Sequence, residues 1–460
     1  MSKLPGSGRR GRAGLLLALV PALVALALPS GASAGGRALP AFHDAAGIQV
    51  VSAQQLDDRQ FDVVVLSAAL GRPVHVRVLL PTDYGDHPES RYPVLYLFHG
   101  TSGRASDWVD MGDAAATTAP LELITVMPDA GFDGDGGGWF TNWVDTTTSE
   151  GPSQWETFHI GQLIGWVDAN LRTIAERRGR AVAGLSQGGF GSMTYAARHP
   201  DTFVAAASFS GAPEIDRDPD VIAGSTVVVE GTAFGLDHVQ PEAMFGSRIT
   251  NEINWQGHDP ATLIENLRGM ALFLWTATGA PGPYDTEPNV AQSGIEYLTH
   301  VSTEHFHDHL VEAGIPSTYD DYVYGTHRWE YWARDLREFV GPMMATFADP
   351  PSPPAVHYES IDRQWQQWGW SVSITRPSRP AFTILDGAGP GGFRFTGDGI
   401  ATITTAPYYA PGAAALVTIT DRAGIRSHAV FAGSDGRITV QVVVGDLLGP
   451  TTARVTVASR

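Results

Sequence analysis

Short runs of unbroken apolar residues recur along the first two thirds of the chain, at 93–98, 121–127, 181–184, 203–208 and 271–275, each bounded by turn-forming residues. A strand with one wet face alternates polar and apolar side chains. These runs do not alternate, so both of their faces must be covered, as in a largely parallel sheet flanked by helices. The intervening stretches supply the cover: 156–174 and 329–347 carry apolar residues at helical spacing. The pattern predicts an α/β fold of three layers over about 48–347. Nearer the start, 61–66 and 74–80 read as an antiparallel hairpin at the edge of that sheet.

The alternation stops at Asp349-Pro350-Pro351-Ser352-Pro353-Pro354, whose four prolines in six residues predict a stiff extended linker over 349–354. Beyond it, short runs at 370–374, 381–385, 392–395, 399–404, 414–419, 428–431, 438–444 and 453–458 are separated by Gly, Pro or Asp. They predict a C-terminal immunoglobulin-like β-sandwich over 355–460, which no disulfide can pin because the chain has no cysteine. The linker also predicts few contacts between the two cores, so that 35–348 should fold by itself. At the other end Lys3, Arg9, Arg10 and Arg12 precede an apolar stretch from Leu15 to Leu28 and then Ala32-Ser33-Ala34. That order reads as a signal peptide over 1–34, its apolar part short for a bilayer span, and predicts a protein secreted to the exterior or the cell envelope.

Composition removes several kinds of chemistry. A formal charge of −19 argues against nucleic acid and anionic membrane surfaces as partners. The only lysine is Lys3, inside the signal segment, which excludes Schiff-base chemistry, pyridoxal attachment and lysine-dependent phosphate loops. The lack of cysteine excludes thiol catalysis and thiolate metal sites.

Gly184-Leu185-Ser186-Gln187-Gly188 offers a nucleophile that needs neither residue. The spacing is that of a nucleophile elbow, in which a tight strand-to-helix turn lifts a serine hydroxyl above a sheet edge. Here 180–184 reads as the strand and 189–198 as the helix, the context that turn requires. The fold expected is therefore an α/β-hydrolase with Ser186 as nucleophile. The helix N-terminus would place its positive dipole end near a developing oxyanion. Upstream, an apolar strand ends in His99-Gly100-Thr101-Ser102-Gly103, so the Thr101 and Gln187 amides are the candidate oxyanion donors, with the His99 ring bracing the loop. The base must be a histidine after the nucleophile. His327 follows a strand-like 318–324 and the turn Gly325-Thr326, and precedes a helix. Such chemistry uses side chains and amides alone, so neither a cofactor nor a metal is expected.

Gly325-Thr326-His327-Arg328-Trp329-Glu330-Tyr331-Trp332 resembles the histidine motif of the antigen 85 mycolyltransferases, within the wider esterase D family. Trp155-Glu156-Thr157-Phe158, followed by Leu163, Gly165-Trp166 and Ala169-Asn170, resembles their helix before the nucleophile strand. The resemblance covers about 45–345 and implies Ser186 as nucleophile, His327 as base, and Thr101 and Gln187 as oxyanion donors. For the acid two positions stand. A generic α/β-hydrolase would use Asp285, in the loop after 271–277, whereas the resemblance points to Glu296 in Glu296-Tyr297-Leu298-Thr299. Two departures bear on substrate. The Asp-Gly-Leu-Arg stretch that seats trehalose in that family reads His99-Gly100-Thr101-Ser102 here, and Gln187-Gly188-Gly189 follows the serine as in ordinary esterases. His99, Ser102 and Trp329 are then the candidate substrate contacts.

The function expected is a secreted serine esterase or acyltransferase working through an acyl-serine. Its partners would be an acyl ester or glycolipid substrate, at the cell-envelope surface. The alternatives are a mycolyltransferase acting on trehalose or envelope glycans, and a non-catalytic envelope-binding protein whose sandwich is the working part. Three other clusters read as structural: His305, His307 and His309 as part of a solvated acidic helix, Asp129, Asp133 and Asp135 as a loop rim, and Trp365, Trp368 and Trp370 as sandwich core.

Overall fold

The computed structural model describes residues 39–459 apart from 133–134, 353–354, 377–379 and 446–448. The signal segment expected over 1–34, the last two linker prolines and Asp133 lie outside the described residues.

The apolar runs become the middle of a nine-stranded sheet ordered β1-β2-β3-β5-β4-β6-β7-β8-β9. The strands are β1 Ile48–Gln55, β2 Gln60–Ser67, β3 Pro73–Leu79, β4 Val94–Phe98, β5 Ile124–Pro128, β6 Arg180–Leu185, β7 Ala205–Phe209, β8 Ala271–Thr276 and β9 Thr318–Asp321. From β5 to β9 the neighbours are parallel, and β1, β2 and β3 pair antiparallel. Every residue of β4, β5 and β7 is buried, which is why these segments show no polar alternation. The hairpin predicted at the edge is β2 and β3, but β1 pairs outside it, so the edge lies one strand further out.

Helices cover both faces. Those that position the site are α1 Ile164–Asn170, α2 Gln187–Arg198, α3 Pro219–Gly235, α4 Val290–Glu312 and α5 Trp329–Ala348. One apolar cluster lies on the α1 and α2 side of the sheet, around Val94, Tyr96, Phe158, Trp166 and Tyr195. A second lies under α5, around Leu95, Leu97, Phe209, Trp275 and Phe339. Sequence patterning did not anticipate α3. Pro219 at its start is a fair helix signal, but Gly224, Thr226, Val227, Val228, Val229 and Gly231 are poor helix formers, and tertiary contacts override them.

After α5 the described residues form two antiparallel sheets, one of six strands and one of four. The larger contains β10 Val356–Ser360, β13 Thr383–Gly389, β14 Gly392–Gly397, β16 Ala414–Asp421, β17 Gly424–Phe431 and β19 Thr451–Ser459. The smaller contains β11 Gln364–Gln367, β12 Trp370–Thr375, β15 Gly399–Thr404 and β18 Thr439–Val444. Side chains of both sheets share one cluster, including Trp370, Val372, Phe395, Ile403, Val417 and Val442. The sequence reading lacked β10 and β11, whose short segments VHYES and QWQQ are too polar to stand out.

The two regions are not separated. The Tyr358 hydroxyl donates to the Arg198 carbonyl at 2.7 Å, and the Arg198 guanidinium reaches Asp362 at 3.0 Å. Asn266 exchanges two hydrogen bonds with the Glu359 backbone, at 2.9 and 2.8 Å. The Trp368 amide donates to Asp201 at 2.7 Å, while Arg177 lies 5.2 Å from the Trp368 ring centroid. The few contacts expected across a proline linker are therefore replaced by a polar interface. Prolines constrain the connection, but they do not stop the folded surfaces from meeting.

Candidate active site

Ser186 stands between β6 and α2 with φ of 52° and ψ of −125°, a strained backbone for any residue but glycine. A Cβ on Gly184 would come 2.3 Å from the Gly188 carbonyl oxygen, and one on Gly188 would come 2.4 Å from that of His99, so both flanking positions need glycine. The Ser186 amide donates to Phe209 at 3.0 Å, and its carbonyl accepts from Gly189 and Phe190 as the helix opens.

The strain has a use, because it aims the hydroxyl at His327. Ser186 Oγ lies 2.9 Å from His327 Nε2, and His327 Nδ1 lies 2.8 Å from Glu296 Oε2. Glu296 is fully buried in α4. Its other oxygen accepts from Ser210 Oγ at 2.8 Å and from the Ala277 amide at 3.0 Å, which fixes the carboxylate plane. The His327 ring meets Trp332 edge-on at 4.8 Å, and its backbone amide donates to Gln292 of α4 at 3.3 Å.

Asp285 does not reach His327. Its carboxylate accepts from the hydroxyl of Thr326, from Tyr331 at 2.7 Å and from the Gly282 amide at 2.7 Å. Partial burial works against its charge, but those bonds win and hold the carboxyl below the usual range. Asp285 thus fastens the loop that carries His327, and Glu296 is the carboxylate that meets the His327 ring.

Thr101 and Gln187 meet beside the serine at the cleft. The Gln187 side-chain amide donates to Thr101 Oγ1 at 3.2 Å and to the Gly136 carbonyl at 3.0 Å, tying the two oxyanion candidates and a third loop together. Among the described residues neither backbone amide has another acceptor. His99, grouped above with possible substrate contacts, is buried away from the cleft. Its Nδ1 bonds the Gly100 carbonyl at 2.8 Å and its Nε2 accepts from the Ala130 amide at 2.8 Å, so the ring is fully used in bracing the loop. Asp129 does similar work, accepting from the His75 and Ala105 amides at 2.7 Å each. Ser102 and Trp329 do line the cleft.

The cleft is a cavity of about 730 Å³ running from Ser186 and His327 between α3 and α4, past Val221, Val228, Ile295 and Leu298. Sequence reasoning missed this wall, for the same reason that it missed α3. It also missed Ser210, which holds Glu296 from the end of β7. Nothing marks a lone serine as a carboxylate clamp until the fold brings α4 over it.

A mixed sheet of this order, with a serine on a strained turn after β6, defines an α/β-hydrolase-like esterase architecture. The esterase family model matches residues 67–342, and the chain belongs to that family. An esterase of Mycobacterium tuberculosis is 34% identical over 277 residues, 59% of this chain and 57% of the relative. The chain thus spans little more than half the length of that relative. The diacylglycerol acyltransferase/mycolyltransferase Ag85A of the same organism is 29% identical over 256 residues, 53% of this chain and 70% of the relative. The crystal structure of the M. tuberculosis MPT51 antigen superposes with a TM-score of 0.50 at 25% identity, covering 65% of this chain and 99% of that one. The antigen 85 resemblance read from the His327 and Trp155 motifs agrees with these relatives.

Proposed function

We propose that this chain is an exported serine esterase or acyltransferase that works through an acyl-serine intermediate. The carrying observation is the unbroken line Ser186 Oγ, His327 Nε2, His327 Nδ1, Glu296 Oε2, at 2.9 and 2.8 Å, opening onto an apolar cavity. Ser186 Oγ attacks the ester carbonyl as its proton passes to His327, and Glu296 stabilises the resulting imidazolium. The Thr101 and Gln187 amides receive the oxyanion. Collapse of the tetrahedral intermediate expels the alcohol, which takes the proton back from His327. A second hydroxyl compound repeats the sequence to release the acyl group. Export rests on the 1–34 segment, and among the described residues no helix is long and apolar enough to cross a membrane. The C-terminal pair of sheets fits an immunoglobulin-like sandwich.

For the acyl group, the walls from Val221 to Leu298 favour a long hydrocarbon chain, since a mostly apolar concavity of this size buries such a ligand well. For the acceptor, His99 and Ser102 stand after β4 where the antigen 85 resemblance would place the Asp and Arg that seat trehalose, and His99 is buried away from the cleft. Each unpaired sugar hydroxyl costs on the order of 1–3 kcal/mol, so water should outcompete trehalose. Transfer is the second reading, favoured by likeness to a mycolyltransferase. Product partitioning by mass spectrometry, with one long-chain acyl donor and increasing trehalose, separates the two. Free acid should dominate throughout. Acyl-trehalose as the main product at millimolar acceptor would replace hydrolysis with transfer.

A further inference from the structure

About two and a half turns beyond Glu296, α4 presents His305, with His309 one turn further on the same face. In sequence they have no evident partner, but the fold supplies partners from the loop between β7 and α3. Glu214 and Asp218 come up against them. Asp218 Oδ2 lies 2.9 Å from His309 Nε2 and 3.0 Å from His305 Nδ1. Glu214 has a fully buried side chain. Its Oε1 accepts the Asp218 amide at 2.8 Å, whereas its Oε2 has no hydrogen-bond partner among the described residues and faces His309 Nε2 at 3.5 Å.

A buried carboxylate oxygen with nothing donating to it is expensive, and its neighbours are mostly acceptors too. Asp220 lies 3.7 Å from His305, and Glu312 lies 3.4 Å from the Nδ1 of His309. The nearby arginines are used elsewhere: Arg217 donates to the Ala261 carbonyl and Arg248 pairs with Asp216. One ligand atom each from Glu214, Asp218 and His309 falls within 4.8 Å of the others. Ligands about 2.1 Å from a tetrahedral ion sit about 3.4 Å apart, close to the separations from His309 Nε2 given above.

We propose that Glu214 Oε2, Asp218 Oδ2 and His309 Nε2 form a binding site for a divalent transition-metal ion of the Zn²⁺ class, with water in the fourth position. The imidazole ligand disfavours Ca²⁺ and Mg²⁺. Glu312 on the far nitrogen of His309 and His305 on Asp218 are the outer partners that orient such ligands. Access is open, since Asp218 is about one third exposed and a surface hollow reaches His309. The bound ion would tie α4 to the loop entering α3. These are the two walls of the acyl cavity, which Glu214 itself lines, so occupancy would set how firmly the walls hold together.

The test uses the full exported chain, free of tags and stripped with chelator, titrated with zinc chloride by calorimetry and by thermal unfolding at neutral pH. The site predicts one Zn²⁺ per chain with a dissociation constant below about 10 µM and a Tm several degrees higher at saturation, with no competition from millimolar Mg²⁺. His309→Gln should weaken binding tenfold or more. This histidine is not deep in the core, so the variant should fold, and circular dichroism checks that it does. Glu214→Gln should weaken binding similarly. Absence of stoichiometric binding, or unchanged affinity in folded His309→Gln, overturns the assignment.

Discussion

Two sheet systems share this chain, and they use their strands differently. In the first, β4 to β8 are parallel and buried on both faces, so each strand must end in a loop at the same edge, and the loops after β4, β6 and β7 converge. Thr101, Ser186 and Ser210 occupy those loops, and two of the three nearby backbones, Ser186 and Ser210, have positive φ of 52° and 46°. In the second, the strands alternate buried and exposed residues, as β12 and β15 do, and join mostly through tight turns. Such a sandwich is stable but gathers few reactive groups. Its contact with the first region gathers around the far end of α2, whose N-terminus carries Ser186 and whose last residue is Arg198, together with Asn266, Asp201 and Arg177 nearby. The contrast teaches that the parallel sheet makes the site, and that the antiparallel sheets brace the helix which completes it.

The sharpest way to break that division is at the elbow. Ser186→Ala should lower ester hydrolysis by about 10⁵-fold or more in kcat with an unchanged melting curve, because the proposed mechanism passes all acyl transfer through this oxygen. Glu296→Gln should cost about 10²–10⁴-fold, since the amide keeps the contact but cannot stabilise the imidazolium. If Asp285→Asn matches that loss with kcat affected and Tm unchanged, the acid is misassigned.

At the other end of α2 the expected effects fall on stability. Arg198 makes a bidentate pair with Glu156 at 2.7 and 3.1 Å, both groups buried. Burial opposes the charge on Glu156, but Arg198, with His199 beside it, holds its carboxyl well below the usual range. Arg198→Ala should therefore cost about 3–5 kcal/mol, read by denaturant unfolding. Removing the chain after Asp349 leaves that pair in place but takes away Tyr358, Asp362 and the Asn266 partners. A Tm lower by about 5–10 °C is expected, with hydrolysis retained at low temperature. An unchanged Tm would mean that the antiparallel sheets brace nothing.

The smallest effect is on pH. Burial first, and Asp135 and Glu150 nearby, push the Asp237 carboxyl up to about 7, next to the Gly137 amide at 3.2 Å. A raised carboxyl pKa favours the unfolded state once that state ionises. The penalty grows from about pH 4 to pH 7 and is then constant. Asp237→Asn should thus be neutral at pH 4 and stabilising by roughly 1–3 kcal/mol at pH 8, as thermal unfolding across pH would show.

Parts of this were legible in the sequence because their physics is local. A doubly buried strand cannot hide its lack of alternation, and an elbow cannot dispense with Gly184 and Gly188. His327 was readable for the same reason, lying on a short turn between strand and helix. Glu296 was not readable from spacing, since a carboxylate within a long helix looks like any helix-face charge until Ser210 and Ala277 are brought to it. The brace at Arg198 was hidden further. Its partners Tyr358, Asp362 and Gln367 form no pattern, and the prolines before them suggest separation. His305 and His309 were read as solvated because their partners lie some ninety residues upstream in the chain.

The relay of Ser186, His327 and Glu296 carries the whole functional reading, and a fluorophosphonate probe reports on it, because the probe phosphonylates only an activated serine. Labelling of the full chain, followed by proteolysis and mass spectrometry, should give one adduct, on the peptide containing Ser186. The adduct should be absent in Ser186→Ala and slowed at least a hundredfold in Glu296→Gln. A folded wild-type chain that takes no label, or that carries it on another serine when Ser186 is replaced, would contradict the reading.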